Sequence, residues 1–151
     1  MGYRMYDCAS FYKNEEIVGQ GLNEILNVDK SVTREEIYII SKVWFDEVED
    51  CEAACKRSMA KLGVEYLDLY LIHWPVAVKT IEPEKEGDPV TYEKMRMPMH
   101  KVWEQMEALV DKGLVKSIGV SNWNVQGLWD MLAYARIPPA VNEVEIHPYN
   151  V

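Results

Sequence analysis

The chain has 151 residues, enough for one domain, read as spanning 1–151, with a sizeable core. Its 25 acidic side chains outweigh 16 basic ones, leaving a net charge of −9 spread along the chain, the opposite of the basic footprint that nucleic-acid binding requires. Hydrophobic residues make up 48%, with five Trp, nine Tyr and eight Met, a composition that packs rather than stays disordered. No apolar run approaches the roughly 20 residues that cross a bilayer. The opening Met1-Gly2-Tyr3-Arg4-Met5-Tyr6 has no signal-peptide core, and Tyr6 stands where a myristoylation motif needs Ser or Thr. Cys8, Cys51 and Cys55 are odd in number and lack CxxC spacing. The expectation is a soluble chain in a reducing, cytoplasmic setting, with neither membrane nor nucleic acid as a partner.

In chain order, Gly2 to Asp7 reads as a strand running into a loop. Asn14 to Leu26 reads as a helix, with Ile17, Val18, Gly21, Leu22 and Ile25 at helical spacing and two glycines, Gly19 and Gly21, that weaken it. Ile37-Tyr38-Ile39-Ile40 is a β-branched run ending at Ser41-Lys42. Val48, Cys51, Cys55, Met59 and Leu62 then step by three, four, four and three along a helix, with Gly63 as its C-cap. Leu67 to Ile72, interrupted only by Asp68, suits a strand covered on both faces. The segment from His73 to Met97 holds Pro75, Pro83, Pro89, Gly87 and a charged stretch, 82–88, and predicts a functional or mobile loop. Pro98 starts a helix with Val102, Met106, Leu109 and Val110 as its stripe and Lys112-Gly113 as its end. Val115 to Val120 is a strand, Asn124 to Ala135 a helix capped by Asn124, and Pro138-Pro139 precedes a strand over Ala140 to Glu145. Five strands alternating with four helices predict a parallel α/β array, either an open doubly wound sheet or an arc of a (β/α)8 barrel.

Neither GxGxxG nor GxxxxGK[ST] occurs, whereas a polar or ionisable group ends every strand: Asp7, Ser41-Lys42, His73, Ser121-Asn122 and Glu143-Glu145. Barrel active sites are assembled at that face. A parallel arc brings Asp7, Tyr12, Lys42 and His73 together, and their chemistry is complementary. An ammonium beside a tyrosine stabilises the phenolate left when the tyrosine gives up its proton; a carboxylate fixes the ammonium; a histidine donates a hydrogen bond to a carbonyl oxygen. Taken singly, each residue has a plainer reading: Asp7 as a turn residue, Lys42 as a solvated side chain, His73 as a packed core histidine. His73, His100 and His147 lack metal-ligand spacing, and Cys51 with Cys55 sits on an apolar helix face, so no metal is expected.

Gly2-Tyr3-Arg4-Met5-Tyr6-Asp7-Cys8-Ala9 with Tyr12, Asn14-Glu15 and Val18-Gly19 resembles the first signature of the aldo-keto reductases. Ser41-Lys42-Val43-Trp44 and Leu67-Asp68-Leu69-Tyr70-Leu71-Ile72-His73-Trp74-Pro75 resemble the family's lysine and histidine segments. Gly113 to Asn122 and Val141 to Tyr149 resemble its later ones. The resemblance implies a (β/α)8 barrel of which this chain covers strands two to six. It also implies NADPH-dependent reduction of aldehydes and ketones, with a small-molecule carbonyl as substrate. Carried over by position, Tyr12 is the proton donor, Lys42 and Asp7 its tuning pair, and His73 the group that orients the carbonyl. Ser121, Asn122, Glu143 and Asp7 fall at cofactor-binding positions, and Trp44 and Trp74 with His73 at substrate-binding ones.

Glu143 stands where the family usually has glutamine; a carboxylate accepts from a carboxamide NH2 but cannot donate to its C=O. Relative to the family, the chain reads as a fragment, truncated at both ends. A full-length form is expected to be a monomer, and the open edges of the shorter one to self-associate. The competing expectation is a catalytically incompetent fragment or a regulatory, partner-binding relative of the kind seen in potassium-channel β subunits.

Overall fold

The computed structural model describes residues 2–83, 85 and 87–150. Met1 and Val151, at the ends of the expected domain, and Glu84 and Glu86, within the charged stretch, lie outside the described residues. In chain order the elements are β1 (Met5–Asp7), α1 (Glu15–Asn23), β2 (Tyr38–Val43), α2 (Cys51–Leu62), β3 (Leu67–Ile72), β4 (Val78–Ile81), β5 (Thr91–Lys94), α3 (Met99–Asp111), β6 (Val115–Ser121), α4 (Val125–Tyr134) and β7 (Asn142–Glu143). Local chemistry sets several boundaries. Asp50 caps α2 by accepting from the Ala53 N–H, Asn124 caps α4 by accepting from the Gly127 N–H, and Gly63 ends α2 in the left-handed conformation at φ 67°.

Five strands form one parallel sheet in the order β1-β2-β3-β6-β7, which follows the chain. Leu22 of α1, Cys55 of α2, Val102 of α3 and Met131 of α4 share a single buried cluster with Ile39, Tyr70, Ile72, Ile118 and Val120 of the strands. All four helices therefore cover one face. A doubly wound sheet reverses strand order and carries helices on both faces, so this is the arc of a barrel. The sheet is open: five strands, without the closure of an eight-stranded barrel, are present among the described residues. The other face carries a small cluster of Ile40, Leu69 and Leu71, and with it β3 is buried along its whole length.

The end of the sheet where strands begin is held by charge. Asp68 accepts from the Ile39 N–H at 2.9 Å and pairs with Arg34 at 2.8 Å and Lys116 at 3.1 Å. Both cations also lie over the Tyr66 ring, at 3.9 and 4.2 Å from its centroid. Burial pushes the Asp68 carboxyl up, but these bonds outweigh it and hold the group below the usual carboxylate range. The polar interruption in the β3 run is thus a paired, buried carboxylate. Charge pairing at this face, opposite the strand ends where barrel sites are assembled, serves stability.

Three expectations are corrected. The segment 73–97 is not a loop throughout: β4 and β5 form an antiparallel hairpin from Val78↔Lys94 to Ile81↔Thr91. Its strands are short and β5 is fully exposed, so no apolar run announces them. The hairpin is tied down by a bond from Thr80 to Asp46, by the Val78 N–H to Phe45 O at 3.2 Å, and by an edge contact between Phe45 and Tyr92. The last strand, expected over Ala140 to Glu145, is only Asn142–Glu143, because its register with β6 consists of Val120↔Asn142 and Ser121↔Glu143. The first helix ends its α-helical part at Asn23 and continues as a wider π turn over Glu24–Val28. No helix is long and apolar enough to cross a membrane among the described residues.

Candidate active site

The ends of the strands converge on Lys42. Its side chain is wholly buried, and its ammonium group meets Asp7 at the end of β1, Glu143 at the end of β7 (3.1 Å), the Cys8 carbonyl (3.2 Å) and the Tyr12 hydroxyl (3.4 Å). An ammonium has three donors, so these four acceptors compete, and Tyr12 holds the longest contact. Burial acts to lower the Lys42 pKa; its hydrogen bonds to Asp7 and Glu143 together reverse this and raise it above the usual lysine value. The lysine stays charged although no water reaches it.

Tyr12 sits in a 3-10 turn over Ser10–Tyr12 directly after β1, with its ring about half exposed. Lys13, next in the chain, turns the backbone away with φ 54°. The turn is anchored from across the site: Ser10 Oγ donates to Glu47 at 2.6 Å, and Glu47 also accepts from Arg57 at 2.9 Å. Burial pushes the Glu47 carboxyl up, but the Ser10 and Arg57 bonds prevail and hold it below the usual range. Behind β2, Ser41 donates to the buried Glu15 at 2.7 Å, fixing the first turn of α1 to the strand that carries Lys42.

His73 follows β3 and is nearly buried. Its ring stands edge-on to Tyr12 at 5.7 Å and to Trp44 at 4.9 Å, and Phe11 stacks on Trp44 at 3.9 Å. Burial, and next the nearby positive charge of Lys42, push the His73 pKa down from 6.5 to about 4, with Asp7 opposing. The imidazole is therefore neutral across the physiological range, and a neutral imidazole keeps one N–H donor. Its Nδ1 is buried and makes no hydrogen bond among the described residues.

Ser121 and Asn122 lie beside this group, at the end of β6. Asn122 donates to the His73 carbonyl at 3.0 Å and to Ser121 Oγ at 3.1 Å, and Ser121 Oγ donates to the Glu143 carbonyl at 2.9 Å. Asn122 reaches both because its backbone is left-handed, at φ 62°. The structure therefore brings together Asp7, Tyr12, Lys42, His73, Ser121, Asn122, Glu143 and Trp44. Trp74, half exposed, shares no ring contact with His73 among the described residues. A cleft of about 560 Å³ opens between Phe11, Trp44, Glu47, Thr80 and Tyr92, where the hairpin faces the Tyr12 turn. A second of about 640 Å³ lies at the opposite end of the sheet, against Arg34 and Tyr66, away from Tyr12, Lys42 and His73. Among the described residues no cluster of three or more His, Cys, Asp or Glu is placed to hold a metal.

Sequence reasoning missed Glu47, Glu15 and Phe11. Phe11 had an available signal, since it adjoins Tyr12 and is a large apolar side chain in a polar loop. Glu47 had none: the hydroxyl it anchors is 37 residues away.

An open, parallel (β/α) arc with Tyr12, Lys42, His73 and Asp7 clustered at its strand ends defines a partial barrel of the (β/α) class. The Aldo/keto reductase family pattern matches residues 1–151, and the chain belongs to that family. It is 43% identical to aldose reductase B of Dictyostelium discoideum, over 98% of this chain and 50% of that protein. It is likewise 43% identical to aldo-keto reductase family 1 member A1-A of Danio rerio, over 99% of this chain and 47% of that one. Among solved structures, aldose reductase from Giardia lamblia superposes with a TM-score of 0.88 at 40% identity, covering 98% of this chain and 50% of that one. A Bombyx mori aldo-keto reductase in complex with NADP gives 0.84 at 35% identity, over 96% and 44%. The chain spans about half the length of the relatives it matches.

Proposed function

We propose that this chain carries the proton-donating half of an NADP(H)-dependent reductase that converts aldehydes or ketones to alcohols. The observation that supports the reading best is the convergence of Asp7 and Tyr12 on one buried, charged lysine, with His73 edge-on to the Tyr12 ring. Ser121 and Asn122 spend their side-chain donors within the site, so what they and Glu143 present at the same strand ends is acceptor oxygen, which suits the NH2 of a nicotinamide carboxamide. Bound there, NADPH would supply the hydride. Everything else falls to the protein. Neutral His73 donates a hydrogen bond to the carbonyl oxygen and turns it toward Tyr12. Tyr12 delivers its phenolic proton to that oxygen as charge builds on it, and the Lys42 ammonium stabilises the phenolate that remains. Asp7 keeps the ammonium in place. Trp44 and Phe11 shield the reacting atoms from water and offer an apolar wall to the substrate.

The test is NADPH consumption with a simple aldehyde. Tyr12→Phe removes the proton and leaves the ring, and turnover is expected to fall by about 10²- to 10⁴-fold, the usual worth of a general acid. Turnover retained in that variant rejects Tyr12 as the donor.

A further inference from the structure

The departure at residue 143 has a structural counterpart. Lys42 is flanked by two carboxylates, Asp7 from β1 and Glu143 from β7, and Glu143 lies nearer its ammonium than the Tyr12 hydroxyl does, at 3.1 against 3.4 Å. We propose that Glu143 is a positioning residue of the proton-donating group: it sets a second negative charge beside Lys42, draws the ammonium toward itself as an ion pair at 3.1 Å, and so weakens the hold of the ammonium on Tyr12.

The charges facing Lys42 can be enumerated. From β1 and the turn after it come Asp7, the Cys8 thiol and Tyr12, from the end of β3 comes His73, and from β7 comes Glu143. The thiol is protonated and the imidazole neutral near pH 7, so one positive charge faces two negative ones. With a neutral amide at 143 the pair Asp7–Lys42 would balance. The phenolate formed when Tyr12 gives up its proton therefore develops in a surplus of negative charge, and a like charge at this range opposes it. The position of Glu143 does not depend on its carboxylate. Its backbone carbonyl accepts from Ser121 Oγ at 2.9 Å and from the Asn122 N–H at 3.0 Å, so a change of side chain leaves β7 where it is.

The consequence for proton transfer rests on the reading of Tyr12 as the acid; the clamp on Lys42 does not. Both are read with Glu143→Gln. In protein labelled with ¹³C at lysine Cε, with the Lys42 signal identified by its loss in Lys42→Met, the Lys42 titration, followed from about pH 9 to 12, is expected to move down by about one pH unit. Glu143→Asp, which keeps the charge, is expected to remain nearer the parent. In the pH profile of NADPH-dependent aldehyde reduction, the basic limb is expected to move to lower pH in Glu143→Gln by a similar amount. A Lys42 titration unchanged in Glu143→Gln overturns the proposal. If that titration moves while Tyr12→Phe retains turnover, the clamp stands and the reductase reading falls. If Tyr12→Phe abolishes turnover while Glu143→Gln changes neither titration nor profile, the reductase reading stands and the clamp falls.

Discussion

Replacing His73 with glutamine tests whether the site holds its imidazole against protonation. Burial and the neighbouring Lys42 lower its pKa from 6.5 to about 4. Between those two values the unfolded chain binds a proton that the folded chain refuses. Stability therefore falls as the pH drops through this window and levels off below it. At about 1.4 kcal/mol per pH unit the full loss is about 3 kcal/mol, a large share of the stability of an ordinary domain. Glutamine keeps polarity and approximate size but cannot take up the proton. Urea unfolding followed by tryptophan fluorescence, run on both proteins at pH 7.5 and pH 4, isolates the effect, since the carboxylates titrate alike in both. The parent is expected to lose about 3 kcal/mol more than His73→Gln between the two pH values. Equal losses would refute the claim that His73 is buried and neutral.

Two more substitutions probe the frame. Asp68→Ala removes the carboxylate shared by the Ile39 N–H, Arg34 and Lys116 and is expected to cost about 3 kcal/mol at pH 7. The folded pKa of Asp68 is depressed, so its contribution is present above the ordinary carboxylate range and disappears as the pH falls through the folded value. The gap between parent and variant in urea midpoint should narrow steadily as the pH falls below the ordinary carboxylate range. Gly19→Ala places a Cβ 2.2 Å from the Lys61 carbonyl, which forces α1 away from α2, whereas a Cβ at Gly21 meets nothing within 4 Å. Thermal unfolding should show Gly19→Ala destabilised by about 2 kcal/mol. Gly21→Ala should be stabilised by up to about 1 kcal/mol through helix propensity alone.

These two glycines show where sequence reading reaches and where it stops. Both lower helix propensity equally, and only the packing of α1 on α2 separates the one that is required from the one that is not. The central parallel strands β2, β3 and β6 were readable because each holds an apolar stretch between turn signals, and the β3 run of Leu67–Ile72 matches its prediction to the residue. The hairpin was not, since β5 is Thr91–Lys94, four exposed residues whose order comes from pairing with β4 rather than from burial. In the site, Asp7, Lys42 and His73 were placed by strand alternation, because side chains at successive strand ends must share one rim. The grip of Glu143 on the same lysine was hidden, for β7 lies two strands beyond β3 in the sheet order and only the curvature of the arc brings its end back to β2.

The cysteines of the core have a practical use. Cys8, Cys51 and Cys55 are all buried and free, and burial above all pushes their thiols up to about 11, 12 and 12. Almost none of any of them is thiolate at neutral pH, and the thiolate is the form that attacks an electrophile. A cysteine introduced at an exposed position, such as Asp88 between the hairpin strands, would thus react with a maleimide dye against a silent background. A fluorophore placed there could follow the hairpin over the Tyr12 cleft without first stripping the native sulfur from the core.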